Sequence, residues 1–339
     1  MKKMKKYTVI FYSLFLVFLL SCDNKVKLKK EKSKNEKEIQ KCKEGQFFLR
    51  SELNLFQTDI QNIDSVIKKL NRDYPYFFQD TLIGFFKDVA VDENFNIIFD
   101  SVFVQFQDMD KTFNIINSGF CSLKNYFPTT NPKIITMIDD DVIDSFSPPF
   151  NPIAYDYEKN LILIQLQWFL GKNHVFYTNR NQPIPEYLTE RYNQKFISPM
   201  LFNTLGSYYS VENNTRTDLL MAMINEAKPY LFSELMLPQL NDHLIFGSTK
   251  NDIDFFNQNA ESVWKYILEN EFLFSSESIL KQHFIKPAHT TQLGTPGRFG
   301  VWLGWQILRS YYNNNDVSLQ EILKETNYLK ILNKSNYKP

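Results

Sequence analysis

The sequence predicts an α+β fold that is mostly helical, with one small sheet near the middle. Three observations lead there. Apolar residues recur at helical spacing before about residue 120 and again after Pro185. Two short apolar runs, 133–138 and 161–164, have the length and β-branched content of strands. Prolines at 128, 132, 148, 149 and 152 punctuate the chain around those runs. At 339 residues and 43% hydrophobic content the chain has enough apolar material for a substantial core, as one large domain or two modest ones.

The N-terminus comes first. Lys2, Lys3, Lys5 and Lys6 form a cationic start, followed by an uncharged run from Tyr7 to Leu20 and then Ser21-Cys22. Those 14 residues span about 21 Å as a helix, short of the ~30 Å hydrocarbon layer. The pattern is that of an export signal over residues 1–21. Leu19-Leu20-Ser21-Cys22 resembles the lipobox of bacterial lipoproteins, in which the chain is cut before the cysteine and the thiol is acylated. The expected lipidation site is Cys22, with palmitate-type chains as the anchor. No other apolar run approaches the length of a membrane span.

Residues 22–45 are expected to be a flexible tether. Between Asp23 and Glu44 stand nine lysines and five acidic residues, with almost no large apolar side chains to bury. The whole chain is neutral, 38 basic against 38 acidic residues. Once the signal is removed the tether carries +4 and the body from Gly45 onward −8. That balance argues against nucleic-acid binding, which needs a basic surplus on the folded part. The basic tether has two readings, attraction to an anionic lipid surface or a plain spacer.

The body, residues 46–339, divides for convenience into a helical part, 46–125, and an α+β part, 126–339. From Phe47 to Lys87 the residues Leu53, Phe56, Ile60, Ile63, Ile67 and Leu70 keep helical spacing, until Tyr74-Pro75 breaks it. A looser helical pattern runs from about Phe95 to Phe120. Lys133–Ile138 reads as a strand with a charged exit at Asp139-Asp140-Asp141. Those three carboxylates with Asp144 could supply calcium ligands, but they lack the alternating spacing and the glycine of a calcium loop, so an acidic strand end is favoured. Leu161–Ile164 is apolar throughout, which suggests a strand buried on both faces. Cys42 and Cys121 show no closing pattern, and two unpaired thiols are expected.

Catalytic patterns are scarce. His174, His243, His283 and His289 include no pair four apart, so the helix that holds zinc between two imidazoles is missing. The chain has no Gly-x-Ser-x-Gly elbow, phosphate-binding loop or dinucleotide fingerprint. No cofactor is expected. The most specific stretch is Thr295–Tyr312, where Thr295-Pro296 has the form of a helix cap and first turn. Gly297, Gly300 and Gly304 then share one face. Each costs a helix about 1 kcal/mol relative to alanine, so the stripe implies close approach of another backbone. Trp302, Trp305, Ile307 and Tyr311 would flank that contact. A groove lined by Trp and Arg298 is the functional alternative.

Pro296-Gly-Arg-Phe-Gly-Val-Trp-Leu-Gly-Trp-Gln-Ile-Leu-Arg-Ser-Tyr311 resembles the signature of the gliding-motility lipoprotein family GldB of the Bacteroidetes. Further stretches agree in order: Ala154–Tyr157 leading to Phe169–Gly171, Met236–Pro238 with Asp242, Asn259 with Trp264–Tyr266, Phe284–Ala288 and Asn336–Pro339. That family is in turn similar to zinc peptidases built on His-Glu-x-x-His and Glu-Gly-x-Ala helices. In this chain Ser198–Gly206 holds no histidine, while Met223–Tyr230 keeps Glu226 at the third-ligand position. One carboxylate does not hold a catalytic zinc. The resemblance therefore implies a degenerate zincin-like fold without its ion, Glu226 being vestigial. It also implies a non-enzymatic lipoprotein of the cell envelope. Such a protein would sit on a membrane through Cys22, face the periplasm or cell exterior, support gliding motility, and contact other envelope or gliding-machinery proteins. The alternative is a cryptic hydrolase or peptide-binding module with Glu226 and His243 near its groove.

Overall fold

The computed structural model describes residues 26–42, 51–52, 93–138, 149–178, 183–211, 218–291 and 294–339, together with positions 65, 68 and 72. The expected α+β class holds, with most of these residues helical and one small sheet. Cys22 with the export signal, most of the expected helix over 47–87, and Asp139, Asp140, Asp141 and Asp144 lie outside the described residues.

In chain order the described elements are α1 (Val26–Lys41), β1 (Ser51–Glu52), α2 (Glu93–Gln105), α3 (Asp110–Leu123), β2 (Lys133–Met137), β3 (Ile153–Asp156), β4 (Leu161–Gln165), α4 (Val175–Thr178), α5 (Glu186–Thr189), α6 (Ile197–Tyr209), α7 (Leu219–Met236), α8 (Asp242–Phe246), α9 (Lys250–Glu269), α10 (Ser278–Phe284), α11 (Phe299–Asn314), α12 (Leu319–Lys324) and α13 (Tyr328–Ser335). The chain divides into two compact units. One comprises residues 42–208 and 240–253, the other 1–41, 209–239 and 254–339.

The first unit is built on the sheet. Its three main strands run β2-β4-β3, and the two-residue β1 pairs with the outer edge of β2. β2 and β4 are parallel, in register from Lys133 opposite Leu161 to Met137 opposite Gln165. β3 returns antiparallel to β4 through a tight turn at 157–160, where Asp156 accepts from the Lys159 N–H at 3.0 Å and Asn160 takes a positive φ. Ile134, Ile135, Leu161, Ile162 and Ile164 are all buried, as the unbroken apolar runs require. Phe120 of α3 meets Phe202 of α6 with ring centroids 5.3 Å apart.

Beyond β4 an aromatic cluster closes this core. Trp168 and Tyr177 pack against Tyr192 at 5.4 and 5.2 Å. The Tyr177 hydroxyl donates to the Gln167 carbonyl at 2.8 Å and accepts from the Leu170 N–H at 3.0 Å. Burial pushes that hydroxyl far above the ordinary tyrosine pKa, so it stays neutral and keeps both bonds. Arg191, also buried, lies over the Phe150 ring at 3.7 Å.

Cys42 and Cys121 form a disulfide within this unit, contrary to the expected free thiols. Their 79-residue separation hid the pair, because spatial approach and not local pattern decides the bond. The single helix expected over 95–120 is two, α2 and α3. The Asp108 carboxylate accepts from the Asp110 N–H at 2.9 Å, a local bond that competes with helix continuation.

The second unit is helical. α7 and α11 form its centre, flanked by α1, α10, α12 and α13. The expected flexible tether is contradicted over residues 26–41, which form α1 and pack on this unit. Among the described side chains of α1, Leu28 is the buried apolar one, and the other contacts described are polar. Asn35 is fully buried and donates to the Leu235 carbonyl at 2.7 Å, while Lys27 reaches the carbonyls of Asn315 and Val317 at 2.9 and 2.7 Å. At the other end, the Ser318–Glu321 capping box starts α12. Ser310 and Asn314 of α11 donate to the carbonyl of Ser335, holding α13 in place.

Candidate functional site

The signature stretch has the close approach that its glycines suggest, with a different start. α11 begins at Phe299, so Thr295 and Pro296 are not its cap and first residue. The capping position is Arg298, in the left-handed region at φ 68°. Gly297 therefore precedes the helix. It packs on the 286–288 backbone, where an added Cβ would lie 2.2 Å from the Ala288 nitrogen.

Within α11 the contact partner is α7. A Cβ on Gly304 would stand 2.1 Å from the Met223 carbonyl oxygen and 3.2 Å from the Ala227 Cβ. One on Gly300 would meet Phe284 at 2.9 Å and the Met223 side chain at 3.2 Å. The two helices thus meet nearly backbone to backbone, a separation that no larger residue permits. Trp302, Trp305 and Phe299 are buried beside the seam. Trp302 meets Trp305 edge to face at 5.4 Å and Phe256 at 5.7 Å. Arg298 is buried, lies 5.3 Å from the Tyr230 ring centroid, and donates to the Tyr230 hydroxyl at 2.6 Å.

At the far end of this seam lies a charged cluster that sequence reasoning missed. The Glu234 side chain on α7 is 4% exposed. One carboxylate oxygen accepts from the Trp305 indole at 3.0 Å and the Arg309 guanidinium at 2.8 Å; the other accepts from Lys32 of α1 at 3.4 Å. Arg309 also stacks over the Trp305 ring at 3.9 Å. Three helices converge on one carboxylate, and three donors offset the cost of burying it. Glu234 lacked a sequence signal because its partners lie 71, 75 and 202 residues away. A second enclosed polar side chain, Lys228, donates to the carbonyls of Val211 and Leu323 at 2.8 and 3.1 Å, tying the segment after α6 and the last turn of α12 to α7.

A family model for the gliding motility protein GldB matches residues 32–339, most of the chain. The chain belongs to the GldB family. No curated protein and no solved structure matches it. The GldB match includes the signature helix α11, its partner α7 and the part of α1 that bears Lys32. The residues of the peptidase reading are dispersed in character. Glu226 is on the exposed side of α7, and Ser198 is buried in α6, donating to the Thr112 carbonyl at 3.3 Å. His243 is half-buried on α8, where burial first, and then Lys195 and Lys250, lower its pKa. Among the described residues no three His, Cys, Asp or Glu side chains group to hold a metal ion, and no helix is long and apolar enough to cross a membrane.

Proposed function

We propose that this GldB-family chain is a lipid-anchored envelope protein that supports gliding motility by binding other proteins and not by catalysis. The observation that carries this reading is the use of the signature residues. Gly300, Gly304, Trp305 and Arg309 are engaged in joining α11 to α7 and to Glu234, so the most family-specific stretch serves the scaffold. Cys22 is the acylated residue, and the acyl chains hold the protein to an envelope membrane with its body facing the periplasm or the cell exterior. The partners are other envelope proteins of the gliding machinery, met by the acidic body.

The test is a gliding strain lacking the gene, complemented with the native chain or with Cys22→Ser. The native chain restores spreading, fractionates with membranes and has the mass of residues 22–339 plus acyl groups. Cys22→Ser loses the acyl mass, the normal membrane fractionation and the spreading. A variant that remains acylated and membrane-bound overturns the anchor. Stoichiometric zinc in the purified native protein, after dialysis against a weak chelator, overturns the non-catalytic role.

A further inference from the structure

Helix α1 sorts its lysines. Lys27 and Lys32 turn inward, one onto the carbonyls of Asn315 and Val317 and the other onto Glu234. Lys30, Lys34, Lys37 and Lys41 are all exposed, and their spacing of four, three and four residues puts them within about 60° of arc on the side opposite Leu28 and Asn35. Of the three acidic residues on the helix, Glu38 pairs with Lys41 at 3.2 Å, Glu31 is half-buried beside the stripe on the same side as Glu38, and Glu36 lies on the other flank. The outward face is thus a cationic stripe about three turns long. A solvated tether would average its charges over all directions. A helix fixed by Asn35, Lys27 and Lys32 holds them on one side.

The stripe is also close to the anchor. Only three residues separate Cys22 from Val26, so the first turn of α1 begins within about 14 Å of the acylated cysteine. The chain from Gly45 onward carries −8. A negatively charged surface therefore attracts one face of the molecule and repels the bulk of it. We infer that the Lys30–Lys34–Lys37–Lys41 face of α1 seats on an anionic phospholipid bilayer and sets which side of the second unit faces the membrane. This rests on the lipid anchor at Cys22, which supplies proximity; the stripe supplies orientation.

The experiment uses the full mature chain in two forms. In the first, Cys22→Ser chain without acyl groups is mixed with phosphatidylcholine vesicles with or without about 30% phosphatidylglycerol. It sediments with the anionic vesicles at low salt and not with the neutral ones. Replacing Lys30, Lys34, Lys37 and Lys41 with Gln weakens that binding at least tenfold, since each lysine near the surface contributes about fivefold. The four side chains are exposed, so an unchanged melting temperature certifies the fold of the variant. In the second form, native acylated protein in the same vesicles is treated with an amine-reactive label and digested. The four lysines are protected on anionic vesicles and labelled on neutral ones.

Equal binding to both vesicle types, or a quadruple variant that binds like the parent, overturns the proposal. So does stronger capture by duplex DNA than by anionic vesicles at the same salt, which assigns the face to another polyanion. A native protein without acyl mass overturns the anchor alone, and the Cys22→Ser comparison still decides the stripe.

Discussion

Gly304 is the position where a single atom matters most. Alanine is the better helix former by about 1 kcal/mol, so propensity alone predicts that Gly304→Ala stabilises the protein. The geometry predicts the reverse. Its Cβ would lie 2.1 Å from the Met223 carbonyl oxygen, a backbone atom that cannot rotate away, and overpacking of this kind costs about 1–3 kcal/mol or more. Gly304→Ala is expected to lower the melting temperature; an unchanged or raised value would sink the close-packing account. Titration gives a second residue-scale test. Burial lowers the pKa of His174 below its ordinary 6.5, so the folded state prefers the neutral ring while the unfolded chain takes up a proton near 6.5. Its stability contribution is therefore complete above pH 6.5 and declines as the pH falls through that value toward the folded pKa. The melting temperature should drop between about pH 7.5 and 5.5, and His174→Gln should lessen the drop. Of these residues Gly300 and Gly304 were legible, because glycines on one face of a helical frame violate propensity, whereas Gly297, read as part of the same stripe, precedes the helix. Glu234 was not, since a glutamate inside a helix is ordinary until its distant partners are known.

At the scale of elements the least legible feature is α1. Its sequence, VKLKKEKSKNEKEIQK, contains too little apolar surface to suggest burial. The helix is attached by amide, ammonium and carboxylate contacts to α7 and to the 313–317 segment, and such contacts leave no periodic trace. The strands were easier. β2 and β4 appeared as β-branched or apolar runs, whereas β3, Ile153–Asp156, is too short and too mixed to stand out. The disulfide makes a prediction at this scale. Closing a loop of 79 residues removes unfolded-state entropy worth about 4.5 kcal/mol in the chain-entropy model. Cys121→Ser should therefore lower the unfolding free energy of the first unit by about 3–5 kcal/mol, read as a lower urea midpoint. Reductant should do the same to the native chain and nothing more to the variant. A native chain indifferent to reductant would overturn the pairing.

For the whole molecule, fold class was readable and the division into units was not. The mixture of helical and strand periods is a local property, which one sequence displays. The partition depends on returns of the chain: residues 240–253 rejoin the unit of the sheet, while 209–239 and 254–339 form the other. Those returns are fixed by packing between distant segments, such as α7 against α11, whose approach requires small residues that look unremarkable one at a time. Charge is also a whole-molecule property. The neutral total of 38 basic and 38 acidic residues conceals a basic N-terminal segment and an acidic remainder. The fold turns part of that linear asymmetry into a directional one by making Val26–Lys41 a helix with a defined outer face.

The Cys42–Cys121 bond has a consequence for the order of events in the life of the chain. A reducing cytoplasm keeps both thiols open. A polypeptide that leaves the cytoplasm as an extended thread must not be locked before it crosses. Under the proposed export of this chain, the covalent closure spanning residues 42–121 would wait for the oxidising side, where extensibility has no further use. On that proposal, the cross-link that strengthens the folded protein would be absent while export competence is needed.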